Sequence, residues 1–73
     1  MPDFIVQEYY LNEEPPRETE TTIKAETAID AIRSIKFWKH ATQFTCVKGD
    51  INKQAHTQDL NGRNGCNAEI KGD

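Results

Sequence analysis

Within Thr21–Lys39, TTIKAETAIDAIRSIKFWK, a strand-like alternation hands over to a helix-like one, and no other stretch constrains the fold as much. Thr21, Ile23 and Ala25 alternate with Thr22, Lys24 and Glu26, the period-2 pattern of a half-buried strand. Thr27 stands at the N-cap position, and Asp30, three residues on, complements the free amides and dipole of a first helical turn. Ala28, Ile32, Ile35 and Lys39 then share one helical stripe, flanked by Ala31 and Trp38. The spacing predicts an amphipathic helix that continues as far as Lys39.

The remaining segments read as strands and turns. Residues 3–11, DFIVQEYYL, are rich in aromatic and β-branched types and predict a first strand. Its parity is ambiguous: Phe4 and Val6 share a face with Glu8, while Ile5, Tyr9 and Leu11 share the other with Gln7. Either the strand is central and covered on both sides, or a bulge near Gln7–Glu8 switches its faces. Residues 12–18, NEEPPRE, form a polar loop, since Pro15 and Pro16 cannot serve an interior strand. Thr42–Lys48 predicts a third strand, with Phe44 and Cys46 on one face and Thr45 and Val47 on the other, followed by a turn at Gly49-Asp50. Ile51–Leu60 is almost wholly polar and predicts a fourth strand with one solvated face. Asn61-Gly62 and Asn64-Gly65 offer left-handed positions for a hairpin, and Cys66, Ala68 and Ile70 alternate with Asn67, Glu69 and Lys71 in a terminal strand. The expected fold is α+β: a single domain over residues 1–73, ββαβββ in order, with an antiparallel sheet packed on one helix.

Only 36% of the residues are apolar, so the core must be thin and little volume remains for an enclosed pocket. A chain built this way acts by presenting a surface. The net charge of −3 hides an asymmetry: residues 1–30 hold eight acids against two bases, and residues 31–73 hold seven bases against four acids. Two electrostatic faces follow if the halves segregate in space. A pI near 5.3 argues against free nucleic acid as the main partner, leaving room only for a local basic patch. No apolar run approaches the roughly 18 residues of a membrane span, no export signal precedes the first strand, and no Asn-X-Ser/Thr occurs. A cytoplasmic protein with no membrane partner is expected. Cys46 and Cys66, both on the apolar parity of their strands, are expected as buried, reduced thiols, with a disulfide as the alternative reading.

The motifs of catalysis are not found. There is no Gly-rich phosphate loop, and Cys46, Cys66, His40 and His56 lack the paired short gaps of structural zinc sites. His40 reads as a cation at the helix end, and His56 as a solvated strand residue. No enzyme activity, cofactor or metal is expected. The helix offers more. On it Arg33 and Phe37 are neighbours at i and i+4, opposite the Ile32/Ile35 stripe, with Lys36 at the edge. An outward phenylalanine beside arginine is the pairing found at interface centres; the competing reading frays the helix near Lys36 and folds Phe37 under the sheet. Arg33, Lys36, Phe37 and Lys39 are thus candidate partner-binding residues, able also to meet phosphates weakly, or simply a solvated face. Tyr9 and Tyr10 are further candidates: one of them must point away from the helix, either as an exposed contact or as cover for the sheet.

With the elements in place, the chain resembles the small anti-CRISPR proteins that phages and mobile elements make against type I-F systems, one family of which has a similar ββαβββ plan. The residues that carry the resemblance are FIVQE at Phe4–Glu8, TIKAET at Thr22–Thr27, the Asp30-Ala31-x-Arg33 step and the DLNGRNG turn at Asp59–Gly65. The resemblance implies a protein that binds the repeated backbone subunits of a crRNA-guided surveillance complex in the host bacterial cytoplasm and blocks target DNA from pairing with the guide. Arg33 maps onto a basic helix position of that family. Ile32 and Phe37 stand where it tends to place lysines, so Lys36 and Lys39 would compensate, and nucleic acid contact would be secondary. Two readings from other classes stand beside it: a generic phage or plasmid protein-binding module that pairs through a sheet edge, as monomer or homodimer, and a weak nucleic-acid-binding accessory protein.

Overall fold

β1 (Asp3–Tyr10) resolves its own ambiguity by lying in the middle of the sheet. The computed structural model describes residues 1–47 and 49–72. Its strands β1, β2 (Arg17–Lys24), β3 (Gln54–Gln58) and β4 (Asn64–Ile70) form one antiparallel sheet in the order β2-β1-β4-β3, with a short helix α1 (Ala28–Arg33) packed against it. The fold is α+β. The register of β1 is continuous against both neighbours, Phe4↔Ile23 and Phe4↔Ile70 at one end, Tyr10↔Arg17 and Tyr10↔Asn64 at the other. No bulge is needed. The even-numbered positions Phe4, Val6 and Tyr10 are buried on the helix side, and Ile5, Gln7 and Tyr9 line the opposite face.

The helix starts where the sequence predicts. Thr27 is extended (φ −138°, ψ 164°) and its hydroxyl accepts from the Asp30 amide at 3.1 Å, a cap that contributes about 1 kcal/mol. Ala28, Ala31 and Ile32 are fully buried, facing a sheet that offers Ala55 and Ala68. Small side chains on both surfaces let helix and sheet approach closely, which is how a chain poor in large apolar residues closes its core. Phe4, Val6, Ile32 and Cys66 are the largest side chains wholly removed from solvent.

The helix ends six residues earlier than its periodicity predicts. The Ser34 hydroxyl donates to the Ala31 carbonyl at 2.7 Å, Ile35 turns extended (φ −86°, ψ 130°), and Lys36–Trp38 forms a single 3-10 turn. Arg33 and Phe37 are therefore not i,i+4 neighbours on one helix, and the exposed His40 lies past the 3-10 turn and not at a helix end. The break has a physical reason: it swings Trp38 to within hydrogen-bonding reach of Tyr10.

The expected strand over 42–48 is the main correction. It contributes one bridge, Thr45↔His56, with both backbone hydrogen bonds at 2.9 Å. Side chains intercept the ladder on either side: Val47 N–H donates to Gln54 Oε1 at 2.9 Å, and the Thr57 hydroxyl donates to the Gln43 carbonyl at 2.8 Å. Cys46 is consequently half-buried, not enclosed in a strand face. Lys48, the last residue of that expected strand, lies outside the described residues. In the β3–β4 turn, Gly62 is left-handed (φ +72°), while Asn64 and Gly65 belong to β4 and not to the turn. Gly65 serves another purpose, since the Tyr9 ring lies directly over it and a Cβ there would sit 2.3 Å from the ring.

Candidate functional site

Trp38 is the residue that builds the candidate surface. It is buried, and its indole N–H donates to the phenolic oxygen of Tyr10 at 3.1 Å; that hydroxyl donates in turn to Glu8, whose other oxygen accepts from Thr19 at 3.4 Å. Burial above all, and then the Glu8 carboxylate, push the Tyr10 phenol well above its ordinary pKa, with the Trp38 N–H pulling weakly the other way. The network is thus a neutral phenol clamping the 3-10 turn onto β1.

With Trp38 and Tyr10 fixed beneath it, Phe37 stays on the outside. Its ring meets Trp38 edge-on at 4.8 Å and Tyr10 edge-on at 5.2 Å, yet 54% of the residue remains exposed. Arg33, Lys36 and Lys39, close to it in the chain, are all exposed as well. Four of the six residues expected from the sequence are thereby presented on one short stretch of chain.

The other two part company. Tyr10 is 4% exposed, so it supports the surface and cannot itself meet a partner, because β1 is central and Tyr10 falls on the helix-side parity. Tyr9 lies on the opposite face of the sheet, half-buried over Gly65, its ring stacked 6.3 Å from that of His56. It covers the sheet.

Two contributors escape a reading of the sequence. The Arg17 guanidinium stands 4.5 Å over the Tyr10 ring while pairing with Glu13 at 3.0 Å, adding a base from β2 beside the aromatic cluster. Leu60, fully exposed at the tip of the β3–β4 turn, forms with Phe37, Trp38, His40, Thr57 and Asp59 a shallow groove. Neither has a local signal, since both depend on which strands become neighbours.

Among the described residues, no group of three or more His, Cys, Asp or Glu side chains could hold a metal ion, and no helix is long and apolar enough to cross a membrane. Neither Cys46 nor Cys66 is in a disulfide; Cys66 is fully buried, and that burial pushes its thiol up to about 12, with Glu8 adding to the effect. Comparison with known family models, curated proteins and solved structures finds no match to this chain.

Proposed function

We propose that this chain is a non-enzymatic inhibitor that binds the backbone subunits of a type I crRNA-guided surveillance complex and blocks target DNA hybridisation. The observation that carries this reading is the arrangement at residues 33–39: Arg33, Lys36, Phe37 and Lys39 are exposed while Trp38, in their midst, is buried and pinned to Tyr10. An exposed aromatic held by edge-on partners, with exposed bases close to it in the chain, has the composition of an interface centre, and its ordering entropy is largely met before binding. The resemblance to anti-CRISPR proteins supplies the target. Within this reading the partner is protein, nucleic acid contact is secondary, no membrane is involved, and the protein acts in the bacterial cytoplasm.

The test is loading of target DNA onto a purified type I-F surveillance complex with and without the protein. Wild type should block loading, and Arg33→Glu combined with Lys36→Glu should not, because both residues are exposed and reversal sets two carboxylates against the surface the bases meet. Phe37→Ser should weaken the block as well. If wild type leaves loading untouched, the target is wrong. Tight, steeply salt-dependent binding of free DNA would instead favour a nucleic-acid-binding protein.

A further inference from the structure

The two edges of the sheet differ in a way that specifies a partner. At one edge, β3 is covered by the Thr45 bridge and the side chains that flank it. At the other, β2 is eight residues long and none of its residues is buried. Its register against β1 is unbroken, and prolines stop at position 16, just before it begins. Long, uninterrupted, uncovered edges of this kind are templates for strand addition.

The orientation of the free groups can be read from the ladder. Ala25 N–H donates to the Pro2 carbonyl at 3.2 Å, so the odd-numbered positions of β2 face β1. The backbone N–H and C=O groups of Glu18, Glu20, Thr22 and Lys24 therefore point outward, away from the sheet.

We infer that β2 is a homodimer edge, pairing antiparallel with β2 of a second copy about a dyad at Thr21. Residues opposed across an antiparallel two-fold share a face, so only registers two residues apart are possible. With Thr21 at the dyad, Glu20 opposes the second copy's Thr22, Thr19 opposes its Ile23, and Glu18 opposes its Lys24, twice over by symmetry. All four outward-facing positions then find partners in the ladder. Sliding toward the N-terminus sets Glu20 against Glu20 and brings Pro16, which has no N–H, opposite Lys24. Sliding the other way opposes Glu18 with Glu26, beyond the end of β2. Sliding that way also sets Glu20 against Lys24, so the strand's charges suit it in both registers, but only the Thr21 register does so over the strand's whole length. Lys24 already meets Asp3 at 2.8 Å, but its side chain is 70% exposed and can take a second carboxylate. The pairing joins two four-stranded sheets into one of eight.

Amide exchange by NMR at micromolar and millimolar protein tests this directly. The amides of Thr19, Thr21 and Ile23 should be protected throughout, and those of Glu18, Glu20, Thr22 and Lys24 only as concentration rises, in step with a doubling of mass by sedimentation equilibrium. Thr22→Pro removes an outward N–H that β1 does not use, so it should leave a folded monomer. Glu18→Lys turns two attractive pairs into repulsive ones and should weaken association by roughly tenfold or more; adding Lys24→Glu should restore it. A monomer at millimolar concentration overturns the inference. So does association that Thr22→Pro and Glu18→Lys both leave unchanged.

Discussion

The indole N–H of Trp38 and the phenol of Tyr10, 28 positions apart in the chain, meet in a buried hydrogen bond of 3.1 Å that closes the 3-10 turn onto the central strand. Tyr10→Phe would leave the Trp38 donor and one Glu8 oxygen without that partner, at a cost of about 1–3 kcal/mol. Urea denaturation should register this loss. The candidate surface should loosen with it, so Phe37 ring signals broaden in the variant. An unchanged midpoint would mean that the network contributes nothing to stability.

Gly65 and Tyr9 should behave as one unit. Gly65→Ala places a methyl 2.3 Å from the Tyr9 ring, which must swing off the sheet, and overpacking of this kind costs about 1–3 kcal/mol. In a Tyr9→Ala background the same substitution should cost much less. A double-mutant cycle read from denaturation midpoints measures the coupling, and additive effects would refute the contact.

The helix face is tested by a contrast. Ile32→Ala removes the largest buried side chain of α1 and should cost about 2–5 kcal/mol; Asp30 is exposed, and Asp30→Ala should cost far less. Thr27→Ala, which deletes the cap, should fall between them at about 0.5–2 kcal/mol. Equal midpoints for the Ile32 and Asp30 variants would invert the packing described.

The thiols should react unequally. A thiol reagent should modify half-buried Cys46 in the native protein and Cys66 only on unfolding. Cys66 is raised to about 12 in the folded state from an ordinary value of 9.0, so above pH 9 the unfolded chain releases a proton that the folded one keeps. Stability is accordingly intact below pH 9 and declines as pH rises through 12. Tyr10, raised in the same sense, adds to the decline above pH 10. Denaturation midpoints followed from neutral to alkaline pH should fall, and Cys66→Ala should remove the earliest part of the fall.

The Thr27 cap made the start of α1 legible and period-2 alternation made β4 legible, because each depends on local hydrogen bonding or one burial direction. β1 was legible from its aromatic and β-branched residues but not in its parity. The alternation at Thr21–Glu26 located β2 but not its bounds, since Arg17 and Glu18, expected in the loop, belong to it and none of its residues is buried. The end of the helix was not legible: Ile35 and Trp38 keep helical spacing, and only the distant Tyr10 hydroxyl makes leaving the helix favourable. The 42–48 segment likewise alternates as a strand should, but whether Gln54 and Thr57 intercept its backbone depends on partners set by tertiary structure. At the surface, the basic residues and Phe37 could be named from the sequence. Arg17 and Leu60 could not, nor could the burial of Tyr10, because strand order decides them.

That strand order also bears on how the protein is made. β1 leaves the ribosome before the other strands and has β2 within reach next, but its other edge must wait for β4, the last strand of the sheet. During that interval, seconds long at ordinary rates of translation, Phe4 and Val6 face a helix that has nothing else to rest on. The sheet's centre is thus completed by its final strand, and no stretch of chain short of β4 holds the whole core.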